Sequence, residues 1–214
     1  PMFSVVITTY NRAELVVRAL ESLLRQSLSD WEAIIVDDGS TDITHEKLLP
    51  YLRSDHRLRY LLKDHSGVAL SKNHGINAST GRFITFLDSD DEYHPAHLAS
   101  RKAFLLRNPG TLFLHGGVKV LGKQYVPDFY DPSRNINLDD CVIGGTFFIE
   151  RETLLSLGGL RDMSFGSDHD LFERARKKKI KMARVDRPTY IYHRENHNSV
   201  TINIERLQGS QDGS

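Results

Sequence analysis

The sequence predicts an α/β protein, a single domain with a mostly parallel central sheet flanked by helices. Two observations carry that expectation. Apolar, β-branched runs begin at residues 3, 31, 58 and 83 and alternate with segments of helical periodicity, a repeat of roughly 25 to 30 residues that fits short βαβ crossovers. Three of these runs end in a polar or acidic turn. Right-handed crossovers place all such turns along one edge of the sheet, where open α/β sheets bind ligands.

Composition sets the outer bounds. At 214 residues the chain can bury one sizeable core. Lysine plus arginine equals aspartate plus glutamate, at 28 each, so no overall field draws in nucleic acid or an anionic membrane. A lone cysteine, Cys141, excludes an internal disulfide framework and fits a reducing compartment. No apolar run approaches the roughly 18 residues of a membrane span, and Pro1-Met2-Phe3 carries neither the basic nor the apolar part of a signal peptide. The expectation is a soluble, cytoplasmic protein with no nucleic-acid partner and no membrane span.

The first run, residues 3–9, has the character of a central parallel strand. Asn11 and Glu14 then resemble a capping box, ahead of a helix with Leu15, Val16, Ala19, Leu20, Leu23 and Leu24 on one face. Thr8 and Tyr10 therefore sit at a strand-to-helix turn. Residues 31–36 form a second strand, ended by Asp37-Asp38-Gly39-Ser40-Thr41-Asp42, and a helix follows to about Leu49, where Pro50 interrupts it. Residues 58–62 make a third strand. A helix over 67–78, with Lys72 and Asn73 at its middle, is stopped by Gly81.

The fourth strand, 83–87, opens into Asp88-Ser89-Asp90-Asp91-Glu92, four acidic residues in five positions. Such a cluster cannot be core, because unpaired buried carboxylates are strongly disfavoured. A hard divalent cation, Mn²⁺ or Mg²⁺, is the obvious neutraliser, held by one or two carboxylates and completed by water and phosphate. A solvated acidic turn is the competing reading of an isolated Asp-x-Asp.

The second half is less regular. Expected there are a helix over 95–106, a strand over 111–121 broken by Gly116-Gly117, and a strand over 142–149 that contains Gly144-Gly145. A short helix over 151–157 and strands at 181–185 and 189–193 complete the set. The segment 122–140, with Tyr125, Phe129 and Tyr130, either stacks on sugar rings or caps the core. Asp168 and Asp170 enter a helix, where carboxylates offset the helix dipole whatever else they do. The tail 207–214 is expected to be disordered.

The motifs Val5-Val6-Ile7-Thr8-Thr9-Tyr10-Asn11-Arg12, Ile34-Ile35-Val36-Asp37-Asp38-Gly39-Ser40-Thr41-Asp42 and Gly67-Val68-Ala69-Leu70-Ser71-Lys72-Asn73-His74-Gly75-Ile76 occur in that order. With the acidic strand end at 83–91 and the stretches 144–162 and 168–174, they resemble the inverting family 2 glycosyltransferases, whose GT-A fold is Rossmann-like. The resemblance implies a GT-A domain over 1–206, with a nucleotide-binding half over about 1–100 and an acceptor-binding half over 101–206. It implies that Tyr10 stacks on a uracil-like base, that Asp38 accepts from the base's ring N–H, and that Thr8 lines the pocket. Lys72 stands where relatives often carry arginine and supplies a point charge to base or phosphate. Asp88 and Ser89 fall on the donor, with Asp88 at the ribose or a metal-bound water, while Asp90 binds the Mn²⁺ or Mg²⁺. His193 or His197 approaches the metal or diphosphate. Asp91 caps the helix after Pro95 or orders the turn. Asp168 is the implied general base, although the residue before it is usually acidic and here is Ser167; Asp170 is the second candidate.

The implied reaction is an inverting, metal-dependent transfer from a nucleotide-sugar, a UDP-sugar, to a hydroxyl of a saccharide or lipid-linked saccharide acceptor. Its setting is polysaccharide or glycoconjugate assembly, and a lipid-linked acceptor leaves room for peripheral membrane contact. The Gln-x-x-Arg-Trp motif of processive synthases is absent, which favours single additions. Two other readings stay open. One is an idle GT-A domain that only binds a nucleotide-sugar, against which Asp90 and Asp168 are both present. The other is a phosphatase of the haloacid dehalogenase type, which wants Thr or Val where Glu92 stands.

Overall fold

The structure is a computed structural model that describes residues 1–131 and 133–195. His197 and the tail 207–214 lie outside the described residues. In chain order the first half holds β1 (Phe3–Thr9), α1 (Ala13–Leu24), β2 (Trp31–Asp37), α2 (Thr44–Ser54), β3 (Leu58–Leu62), α3 (Val68–Ala78) and β4 (Phe83–Asp88). Then come β5 (Glu92–Tyr93), α4 (His97–Arg107), β6 (Phe113–His115), β7 (Val118–Gly122), β8 (Tyr125–Pro127) and β9 (Asn135–Asn137). The chain continues through β10 (Phe148–Glu150), α5 (Arg151–Ser156), α6 (Ser167–Lys177), β11 (Met182–Arg184) and β12 (Tyr190–Arg194).

Seven strands form the main sheet in the order β11-β6-β10-β4-β1-β2-β3. Its β4-β1-β2-β3 portion is parallel throughout, and β10 alone runs antiparallel to its neighbours. Every residue of β1 is buried, as a central strand covered on both faces requires. The period of two sorts the side chains between two cores. Val5 and Ile7 join Leu20 and Leu23 of α1 and Leu98 of α4 on one face. Val6, Ile84 and Phe86 join Ile76 of α3, Leu154 of α5 and Leu171 of α6 on the other. Each of these large side chains is worth roughly 1.5–3 kcal/mol of burial.

The register fixes where the site lies. Thr8 aligns with Val36 on one side and with Asp88 on the other, so the carboxyl ends of β1, β2 and β4 stand side by side. A smaller sheet, β5-β12-β7, leans on the same edge and carries His193 to the acidic cluster. Among the described residues, no helix is long and apolar enough to cross a membrane.

Several local expectations are corrected. Asn11 does not cap α1; the N-cap residue is Arg12, which makes no side-chain cap, and the Ala13 N–H donates to Asp42 Oδ2 at 3.3 Å. Asn11 Oδ1 accepts instead from the Thr41 N–H at 2.7 Å, which ties the turn after β1 to the turn after β2. Pro50 lies inside α2 rather than ending it. The last turn survives the lost N–H because Leu48 is buried and the Tyr51 hydroxyl donates to Glu21 at 2.6 Å. Residues 111–121 are two strands in different sheets, because Gly116 and Gly117 take φ of 91° and 80° and turn the chain out of the main sheet. Residues 142–149 hold a 3₁₀ turn, Gly144–Thr146, ahead of the short β10. Gly145 lies so close beneath the Tyr190 ring that a Cβ would strike it.

Candidate active site

Three strand ends and one helix entry build the site. Tyr10 follows β1 and is 42% exposed, which removes it from the core. Thr8, two residues earlier and near the end of β1, is buried. Asp38 follows β2, and its N–H donates to the Thr9 carbonyl at 2.9 Å.

The Asp38 carboxylate is wrapped by the loop between β3 and α3. Oδ1 accepts from Lys63 Nζ at 2.6 Å and from the Ser66 N–H at 2.9 Å. Oδ2 accepts from the Gly67 N–H at 2.8 Å and lies 2.9 Å from His65 Nδ1. Burial alone would raise the pKa of this group, but the hydrogen bonds from Lys63, Ser66 and Gly67 outweigh it and the net shift is downward. Asp38 is a fixed anion. His65 also stacks on Tyr10, with ring centroids 4.1 Å apart.

After β4 the acidic cluster is partitioned among different partners. Asp88 Oδ1 pairs with the buried Lys72 Nζ at 2.7 Å. Burial would lower the Lys72 pKa, but Asp88 more than offsets it, and the ammonium is held charged. Ser89 is buried within the turn. Asp90 Oδ2 lies 3.3 Å from Arg12 Nη1, and its carbonyl accepts from Arg18 Nη2 at 2.6 Å. Asp91 does not cap the helix after Pro95. Its Oδ2 accepts from the Tyr190 hydroxyl at 2.6 Å and its Oδ1 from the His193 N–H at 2.8 Å, so it fastens β12 to the turn. The His193 ring, expected at the metal, places Nε2 2.8 Å from Glu92 Oε2 and thus reaches the cluster through Glu92.

Burial first, and then the Asp88 charge, push the Asp90 pKa up against the pull of Arg12. Asp91 is pushed well above the ordinary carboxylate range by burial and by the Asp90 and Asp88 charges. Lys72, Arg12, Arg18 and Arg25 face the turn, yet burial still disfavours Asp90 and Asp91 as anions, and all the side-chain donors of the turn are hard oxygens. That fits a divalent cation of the Mg²⁺ or Mn²⁺ type. Among the described residues, no three His, Cys, Asp or Glu side chains converge as a cage. An ion at Asp90 would therefore complete its shell with water and phosphate oxygens.

Asp88 and Asp168 both line a cavity of about 550 Å³. Asp168 sits in the first turn of α6, with Oδ2 accepting from the Gly144 N–H at 3.0 Å and Oδ1 from its neighbour's N–H, that of His169, at 2.9 Å. A Cβ at residue 144 would come within 2.8 Å of the Asp168 Cβ, so glycine lets the two segments meet. Asp170 is differently placed. Its Oδ1 accepts from Arg161 Nη1 at 3.1 Å and its Oδ2 from Arg174 Nε at 2.8 Å, while Arg174 also donates to the Gly159 carbonyl at 2.7 Å. Asp170 is a latch between α6 and the turn after α5. Phe129 and Tyr130 line the cavity beside His169: Phe129 packs on the His169 ring with centroids 4.6 Å apart, and the Tyr130 hydroxyl lies 3.1 Å from His169 Nε2.

The sequence reading brought together Thr8, Tyr10, Asp38, Lys72 and the acidic turn but missed Lys63, His65, Arg12 and Tyr190. The same carboxyl-end rule that marked β1, β2 and β4 applies to Lys63-Asp64-His65-Ser66 after β3, and would have found the first two. Tyr190 carries no comparable signal, because its role depends on a second sheet.

The chain has relatives whose likeness can be measured. One, from Escherichia coli, is the UDP-Glc:alpha-D-GlcNAc-diphosphoundecaprenol beta-1,3-glucosyltransferase, 30% identical over 160 residues that cover 72% of this chain and 62% of that protein. The crystal structure of S. aureus TarS in complex with UDP-GlcNAc superposes with a TM-score of 0.77 at 20% identity, over 99% of this chain and 66% of that one. A mannosyltransferase from Pyrobaculum calidifontis, in complex with GDP-Man and Mn²⁺, gives a TM-score of 0.73 at 19% identity, over 100% of this chain and 65% of that one. The chain thus spans less than two thirds of the length of each. The structural likenesses show the GT-A fold. The sequence profile described as Glycosyl transferase family 2 matches residues 4–156, more than half of the chain, and the protein belongs to that family.

Proposed function

We propose that the chain is the catalytic GT-A domain of an inverting glycosyltransferase. It transfers a sugar from a UDP-sugar to a hydroxyl of a saccharide or lipid-linked saccharide, in polysaccharide or glycoconjugate assembly at the cytoplasmic side. One observation carries this reading: Asp88 faces Lys72 on one side and the cavity walled by Asp168 on the other. Donor-side and acceptor-side chemistry meet at one carboxylate. The coenzyme-like half of the donor is met by Tyr10, which stacks on the base, by Asp38, which accepts from a ring N–H, and by Thr8 below them. Asp88 and Ser89 fall at the ribose, and Lys72 adds a buried positive charge toward the phosphates.

Asp90 would hold the divalent ion, with His193 ordering the neighbouring Glu92. When bound, the ion supplies Lewis-acid stabilisation of the negative charge that develops on the diphosphate leaving group. Asp168 accepts the proton of the acceptor hydroxyl as that oxygen attacks the anomeric carbon from the face opposite the diphosphate. The Gly144 and His169 N–H groups hold its carboxylate in place and leave acceptor capacity on both oxygens. Asp170 is instead held in ion pairs with Arg161 and Arg174 and is not among the residues that line the cavity.

Membership of the family leaves the phosphatase reading without a motif to rest on. The idle-domain reading is separated by assay: with Mn²⁺, UDP-sugars should be hydrolysed slowly without acceptor and turned over faster with one. UDP binding with no turnover of any donor would make the chain a binding module.

A further inference from the structure

His65 already makes the two contacts that the donor base is expected to make. Its ring is stacked on Tyr10 at a centroid distance of 4.1 Å and an interplanar angle of 24°. Its Nδ1 lies 2.9 Å from Asp38 Oδ2 and 3.1 Å from the Asp38 carbonyl oxygen. A pyrimidine that stacks on Tyr10 and donates a ring N–H to Asp38 must use the same aromatic face and the same carboxylate edge. Rings 4.1 Å apart leave no room for a third between them.

Three donors already hold the carboxylate, Lys63 Nζ and the Ser66 N–H on Oδ1 and the Gly67 N–H on Oδ2, and His65 Nδ1 lies 2.9 Å from Oδ2 over the edge that remains. Those three donors are built in: the Ser66 and Gly67 N–H groups open α3, and Lys63 Nζ also donates to the Ser66 hydroxyl and the Asp64 carbonyl. His65 is the one that can leave. It sits on a loop with its side chain 55% exposed, and departure costs it one stacking contact and one hydrogen bond.

We propose that His65 is a resident stand-in for the nucleobase, holding Tyr10 and Asp38 in binding geometry until a pyrimidine nucleotide displaces it. The proposal rests on the donor reading of this site given above. Displacement lowers the apparent nucleotide affinity by the fraction of molecules whose slot stands vacant. It also sharpens selection. A uracil ring can replace both contacts because its N3 carries a hydrogen, whereas cytosine presents an acceptor at N3 and leaves Asp38 facing a lone pair.

The test uses the whole chain, with UDP and CDP as probes. Calorimetry on wild type and His65→Ala should show UDP binding the variant more tightly, by about three- to tenfold. In wild type, the His65 ring-proton NMR signals should leave their Tyr10-shifted positions as UDP saturates and stay there with CDP at equal concentration. Weaker or equal UDP binding by His65→Ala would overturn the proposal, as would His65 signals unmoved at UDP saturation or moved equally by CDP. UDP binding to neither form would remove the donor reading along with it. UDP bound tightly by wild type and poorly by the variant would remove the stand-in alone, making His65 a support for Tyr10.

Discussion

Lys72 Nζ lies 2.7 Å from Asp88 Oδ1, so the first carboxylate of the acidic turn is paired with a buried ammonium from α3. The pair joins the middle of a helix to the end of β4 and places a positive charge at the centre of the proposed donor site. Lys72 is buried and its pKa is raised net, with Asp88 overcoming the effect of burial. A group whose folded pKa is raised contributes stability that is complete below its unfolded value and fades only as pH rises through the folded one. Lys72→Met should therefore lose about 1–3 kcal/mol of stability, by the same amount at mildly acidic and mildly alkaline pH. Urea denaturation across that range checks it; a loss confined to acidic pH would contradict the pairing.

Tyr10→Ala removes the aromatic platform without touching the core, because the residue is 42% exposed. Base stacking on an aromatic side chain is worth about 1–3 kcal/mol, so UDP affinity should fall by roughly one to two powers of ten. The variant should melt at the wild-type temperature. Unchanged UDP affinity in calorimetry would place the base elsewhere.

Asp90→Asn removes one charged oxygen from the turn and leaves its shape. UDP affinity of wild type should drop when EDTA replaces Mn²⁺, and the Asn variant should show no such difference. Wild-type affinity that is the same with EDTA and with Mn²⁺ would take the ion out of the donor site.

Cys141 lies on the wall of the cavity that contains Asp168. Burial first, then the charges of Asp140 and Asp168, push its thiol up to about 11. The thiol is therefore protonated at pH near 8, and alkylation by iodoacetamide should be slow there and rise about tenfold per pH unit toward that value. An acceptor analogue in the cavity should slow it further. Alkylation at the rate of a free cysteine near pH 8 would contradict the burial.

Much of the first half was legible because its signals are local. β1, β2, β3 and β4 follow from runs of β-branched and apolar residues, and their parallel pairing from the repeat length, so Tyr10, Asp38 and Asp90 meet by topology. Gly116-Gly117 was legible as a break, but that β6 and β7 then join different sheets depends on pairing with β10 and β12, which no local pattern encodes. The same limit applied to charge. Asp168 and Asp170 look alike in sequence, two acids in the first turn of one helix. Only the fold sets Asp170 against Arg161 and Arg174 and aims Asp168 at the cavity.

That difference gives the most direct test of the account. Rates of sugar transfer, UDP binding and the anomeric configuration of the product should be measured on Asp168→Asn and Asp170→Asn. Asp168→Asn should keep its fold and its UDP affinity and lose about 10²- to 10⁴-fold in transfer, the share of acid–base catalysis. Asp170→Asn should lose about 1.5–3 kcal/mol of stability and little turnover, and wild type should give inverted product. Full transfer by Asp168→Asn, or a product that retains the donor's configuration, would contradict the assignment of Asp168 as the base of a single displacement.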